Sequence, residues 1–183
     1  MDVRSLCRTM RVETRTYREA AERSGVSEAE LCARYDPDGF VTWSKRASGY
    51  VIYYNQNMNE QQLRWTLMHE LSHVHLGHVQ ALRTREKGKL HAWMETEADG
   101  MTRRVLCPSI VLHDLQALQP ERIARCCGVS RQAARFASER MAVFERRNCY
   151  RMDALERQVE QQFMDFIRRG RPETGLDSIT LHY

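Results

Sequence analysis

Apolar and polar positions along the chain follow two periods, and the switches between them outline its elements. Helical spacing comes first. Residues 17–24 and 27–35 read as two short helices broken at Gly25, the second opened by Ser27 with Glu30 three residues on, a capping box. The turn Asp36-Pro37-Asp38-Gly39 follows. Residues 40–43 and 50–55 are β-branched and aromatic, interrupted by Ser48-Gly49, and read as paired strands. Asn59 with Gln62 then caps a helix running from Glu60 to about Leu76. A polar loop carrying Gly77 and Gly88 leads to a helix from Ala92 to Leu106, stopped by Pro108. From Pro108 to Gly170 the pattern reads as helical. Its last helix, residues 150–169, places Met152, Leu155, Val159, Phe163 and Phe166 at helical spacing, which predicts packing onto its own domain, with an oligomer interface as the alternative. The final dozen residues read as a tail.

The chemistry gathers on the helix from Glu60. It holds His69-Glu70-Leu71-Ser72-His73, an HExxH. Residues four apart on a helix differ by about 40° around its axis, so both imidazoles point one way and can hold one Zn²⁺. Glu70, one position round, reaches a metal-bound water without being a ligand and can take its proton as general base. A third ligand is needed. A metzincin would carry Gly at position 76 and His at position 79; Leu76 and Val79 stand there. On a continuous helix His75 and His78 lie roughly 240° and 180° from His69 and read as loop or surface histidines. Glu95-Thr-Glu-Ala-Asp99 offers a carboxylate instead: Glu95 completes a His₂Glu set, and Asp99, on the same face, can accept the outer N–H of a ligand histidine. Glu97 is rotated about 200° from Glu95, so the two are not ligands together.

Residues 63–78, Leu-Arg-Trp-Thr-Leu-Met-His-Glu-Leu-Ser-His-Val-His-Leu-Gly-His, resemble the RFTxAHELGHxxLGH block of the ImmA/IrrE metallopeptidases. Residues 95–108, Glu-Thr-Glu-Ala-Asp-Gly-Met-Thr-Arg-Arg-Val-Leu-Cys-Pro, resemble that family's second block, ExEA(D/N)xFAxxLLxP. The chain departs from it at Met101-Thr102, where the block has Phe-Ala, at Gly100 within a helix, and at the charged pair Arg103-Arg104. The resemblance implies a mostly helical α+β fold: a small zincin-type, gluzincin-like peptidase domain whose short sheet lies beside two ligand-bearing helices. It also implies a zinc endopeptidase whose substrate is a helix-turn-helix repressor of mobile-element or stress-response genes. The expected organisation is N-terminal helices over 1–39, the peptidase core over 40–108, a helix-turn-helix-like segment over 109–147, and a C-terminal helix and tail over 148–183. A peptide is expected to lie extended along the strands above the metal. Tyr53, Tyr54 and His91 are candidates for a second electrophile beside the metal, each with a structural role as the alternative.

The helix-turn-helix reading rests on residues 120–141. Ala124 sits four before Gly128, Val129 plugs the turn, and Ser130 caps an arginine-rich helix on which Arg131, Arg135 and Arg140 would face DNA or a partner. A similar pattern over residues 21–27 has no basic second helix, so an economical helical corner explains the motif as well. The alternative function is therefore a non-proteolytic regulator that binds DNA or a repressor through this segment. A member of a toxin–antitoxin-like pair is a third possibility.

Charge adds little to that choice. The net +4 arises entirely after residue 102, where fourteen arginines face ten acids over some eighty residues. The six cysteines form no CxxC pair, and with no apolar leader at the start of the chain they fit a reducing cytoplasm.

Overall fold

The computed structural model describes residues 2–84, 92–147, 149 and 154–171. The chain divides into two compact units, Met1–Leu106 and Cys107–Tyr183. The first unit holds, in order, α1 (Val3–Thr9), β1 (Glu13–Thr16), α2 (Tyr17–Ser24), α3 (Glu28–Arg34), β2 (Gly39–Ser44), β3 (Gly49–Tyr54), α4 (Glu60–His75), α5 (His78–Thr84) and α6 (Ala92–Leu106). This is the α+β arrangement expected of a small zincin-like domain, mostly helical with one short sheet.

The helix starts are fixed by local chemistry. Complete capping boxes open α2 (Thr16 with Glu19), α3 (Ser27 with Glu30) and α4 (Asn59 with Gln62), so the first free backbone N–H groups find acceptors within their own segments. In the two former boxes the Glu carboxyls are held below their ordinary range by hydrogen bonds from Thr16 and Ser27. At the other end of α2, Gly25 at φ 72° supplies the left-handed residue that stops the helix.

The sheet has the order β1-β3-β2, with β3 parallel to β1 and antiparallel to β2. Val51 and Ile52 of this central strand are fully buried. Helix α4 packs across β2 and β3 on one side and against α6 on another, burying Leu67, Met68 and Leu71 with Met94, Ala98 and Leu106. Gly39 is what allows β2 to approach so closely: a Cβ there would stand 2.6 Å from Thr66 Cγ2 and 3.0 Å from the Tyr53 carbonyl. Tyr17, Ala20 and Leu31 form a smaller cluster with Phe40 and Tyr53.

The second unit contains α7 (Ser109–Asp114), α8 (Pro120–Cys127), α9 (Arg131–Arg147), α10 (Ala154–Gln162) and α11 (Met164–Gly170). The corner between α8 and α9 turns on Gly128 at φ 60° and the buried Val129, and the Ser130 hydroxyl accepts from the Ala133 amide. Two arginine guanidinium groups donate to carbonyls across the unit, Arg122 to Gly170 and Arg171 to Asp114. The expected last helix is two helices meeting at Phe163. Of its stripe, Met152 lies outside the described residues and Leu155 is 70% exposed, while Ile167 is the residue that α11 buries. Among the described residues, no helix is long and apolar enough to cross a membrane. The six cysteines are unpaired, and burial pushes the Cys7 thiol up to about 11, which makes it an inert core group.

Candidate functional site

Helices α4 and α6 lie side by side, and the residues singled out by their spacing meet where the two approach. His69 Nε2 and His73 Nε2 are 3.1 Å apart. Glu95 Oε2 from α6 stands 3.1 Å from the first and 3.6 Å from the second. Three atoms that each offer a lone pair thus face one another with no proton donor among them apart from whatever the imidazoles carry. Ligands about 2.0–2.1 Å from a tetrahedral zinc ion stand about 3.3–3.4 Å apart, so these spacings suit one small cation at the centre of the cluster.

Asp99, one turn beyond Glu95, places Oδ1 3.1 Å from His69 Nδ1, a close contact without the alignment of a hydrogen bond, and lies 3.9 Å from Arg103. Glu97 points away from the cluster to His78. His75 is exposed. His78, expected in a surface loop, is instead 3% exposed and touches His73, its Nδ1 3.0 Å from the Nδ1 of His73. The expectation assumed a continuous helix. In fact α4 ends at His75, and Gly77 at φ 76° reverses the chain, swinging His78 back beneath its neighbour.

Glu70 projects from α4 toward the sheet and is almost wholly buried. Burial, reinforced by the negative charges of Asp36 and Glu95, holds its carboxyl well above the usual range, against a lowering hydrogen bond from the Val41 backbone amide. Burial also pushes His73 down to about 3, with His69 and His78 adding to the effect, so its imidazole is neutral and free to act as a ligand. Helix α4 is held to α6 by a hydroxyl bridge. Ser72 Oγ donates to the Met68 carbonyl at 2.8 Å and lies 3.2 Å from Thr102 Oγ1, both side chains being fully buried.

A cleft of about 640 Å³ opens over this cluster, with His69, Glu70, His73 and Glu95 among its lining. Tyr35 and Phe40 of its wall stack at 4.2 Å between centroids, and Phe40 stacks in turn on Tyr53 behind it at 5.3 Å. Neither Tyr53 nor Tyr54 is among the residues lining the cleft. Tyr54 receives a hydrogen bond from Arg4 at 3.2 Å, and Tyr53 belongs to the aromatic cluster behind Phe40. His91 lies outside the described residues.

In the second unit Arg131 and Arg135 are exposed on α9, whereas the Arg140 guanidinium sits 4.8 Å above the Phe144 ring of the same helix.

The family profile of the IrrE N-terminal-like domain (Peptidase_M78) matches residues 33–139, which include both helices of the cluster and the α8–α9 corner. No curated protein and no solved structure matches the chain.

Proposed function

The chain belongs to the ImmA/IrrE family of metallopeptidases, and on that premise we propose that it is a zinc-dependent endopeptidase of the cytoplasm that cleaves a helix-turn-helix repressor. The observation that carries the reading is the convergence of His69, His73 and Glu95 within 4.8 Å on the wall of a cleft that also holds a buried carboxyl group.

In this reading His69 Nε2, His73 Nε2 and Glu95 Oε2 hold the metal. A bound Zn²⁺ supplies Lewis-acid chemistry, lowering the pKa of water to about 7 and polarising a carbonyl. The rest belongs to the protein. Glu70 is the general base, placed for it by lining the same cleft as the three ligands. Its carboxylate takes a proton from the attacking water and returns it to the leaving amine. The Val41 amide, by donating to Glu70, ties the carboxyl to strand β2. Strand β2 is an edge of the sheet, and its residues Gly39, Phe40 and Val41 line the cleft, so an extended peptide can add to it by main-chain hydrogen bonds.

Incubation with a panel of helix-turn-helix repressors, read by mass spectrometry of the products, tests this. Wild type should release two fragments of one repressor, 1,10-phenanthroline should stop the cleavage, and Glu70→Gln should lose it by about 10²-fold or more. Cleavage by Glu70→Gln at the wild-type rate would remove the mechanism. The exposed Arg131 and Arg135 beside a buried Val129 turn favour a second reading, a regulator that binds duplex DNA through α9 without proteolysis. Its mark would be duplex binding that weakens steeply with salt and is lost in Arg135→Ala.

A further inference from the structure

The inference drawn here rests on His73 being a metal ligand. We propose that His78 and Glu97 form a hydrogen-bonded relay that positions His73 and fixes the tautomer in which it can bind metal.

The geometry leaves little freedom. A neutral imidazole carries one proton, and a histidine that ligates through Nε2 must hold that proton on Nδ1. His73 is 1% exposed, so bulk solvent does not reach it. What faces His73 Nδ1 is His78 Nδ1, 3.0 Å away. If His73 donates there, His78 Nδ1 is the acceptor and the His78 proton sits on Nε2. That atom lies 3.2 Å from Glu97 Oε2, a carboxylate oxygen that only accepts. One assignment of protons therefore satisfies both contacts and leaves the His73 Nε2 lone pair aimed at His69 and Glu95. The opposite assignment would put the His73 proton on Nε2, inside the ligand cluster. It would also force His78 to donate from Nδ1, leaving its Nε2 lone pair against a carboxylate.

Other features hold the relay in shape. Gly77 in the left-handed region turns His78 inward, and the Trp93 ring packs edge-on against His78 at 5.6 Å between centroids. The carboxylate that ends the chain comes from the same helix as Glu95, two residues on and on its other side. Helix α6 thus contributes to the metal site twice: directly through Glu95, and through two imidazole contacts by way of Glu97. His78 and Glu97 are positioning residues, since neither lies among the three atoms that face the cation.

The test uses the full-length chain and has two arms. Nitrogen-15 NMR of the metal-free wild type reads the tautomers directly and should show a proton on Nδ1 of His73 and on Nε2 of His78. Metal affinity is measured by competition with a chromophoric zinc chelator. His78→Leu should weaken binding by about 10–100-fold. His78→Asn, whose side-chain oxygen can accept the same proton, should recover most of that loss. Glu97→Ala, at an exposed position where the fold is not at risk, should weaken binding less than His78→Leu does. A proton on Nε2 of His73, or zinc affinity unchanged in both His78→Leu and Glu97→Ala, would overturn the relay. If wild type binds no zinc, it is the metal reading of the site that fails, and the tautomers in the metal-free chain still decide this inference.

Discussion

Two helix pairs built on similar short-range rules have opposite interiors. Between α8 and α9 the buried residues are Ile123, Cys127, Val129, Ala133, Ala134, Ala137 and Met141, all apolar, with the polar groups kept to the outside. Around α4 and α6 the interior holds Glu70, Ser72, His73, His78 and Thr102 alongside the leucines. Burying such groups is unfavourable unless each finds a partner, so a fold concentrates them where they are used. The α8–α9 corner can be explained by packing alone; the α4–α6 pair carries groups that packing would not choose. Two of them stand where the ImmA/IrrE blocks have smaller residues: Ser72 in place of Gly and Thr102 in place of Ala. In this chain the two replacements contact each other at 3.2 Å, so they work as a matched pair.

The largest effect should come from the apolar interior. Ile123 is fully buried, and Ile123→Ala should cost about 2–5 kcal/mol of stability, measured by urea denaturation, with metal content per folded chain unchanged. In the polar interior a deletion of charge should act the other way. The Glu70 carboxyl titrates higher in the folded chain than in the unfolded one, so its contribution is complete below about pH 4.5 and is lost as pH rises. Glu70→Gln should therefore match wild type near pH 4 and exceed it increasingly toward pH 8 when both are melted free of metal. Equal melting curves at pH 8 would mean that the carboxyl is not strained by its surroundings.

A finer probe is the hydroxyl bridge. Ser72→Ala and Thr102→Val should each cost about 1 kcal/mol, and the double variant less than their sum, because the second change removes a bond already broken. Strict additivity would show that the two hydroxyls do not interact. Smallest is Gly100→Ala. A Cβ at Gly100 would meet only Arg104 Nη1 at 3.9 Å, so the substitution should raise stability by about 0.5–1 kcal/mol. Loss of stability would reveal a tighter packing there.

What the sequence made legible was local. Capping residues placed the starts of α3 and α4, Pro108 marked the end of α6, and aromatic runs marked β2 and β3. Helix α1 and strand β1 escaped because their signals are faint. Asp2 as a cap and Val3 with Cys7 four apart are all that mark the first. Strand β1 is Glu-Thr-Arg-Thr, with no alternation of apolar residues, and is held by parallel pairing to residues almost forty positions away. The break at Phe163 has no glycine or proline to announce it. His78 was misplaced for a different reason. Its position depends on one left-handed glycine, and a helical wheel drawn through Gly77 carries every later residue to the wrong side. The helix spacing pointed to the members of the three-residue cluster; the groups behind them became visible only once the chain had turned.

Elemental analysis of purified chain is the measurement that bears most directly on the central claim, that His69, His73 and Glu95 form one metal site. Wild type should carry close to one zinc ion per chain. His69→Ala and Glu95→Ala should each have lost it, with unchanged circular dichroism showing that the fold persists. A wild type without metal that is not stabilised by added zinc, or a Glu95→Ala variant that keeps its full complement, would contradict it.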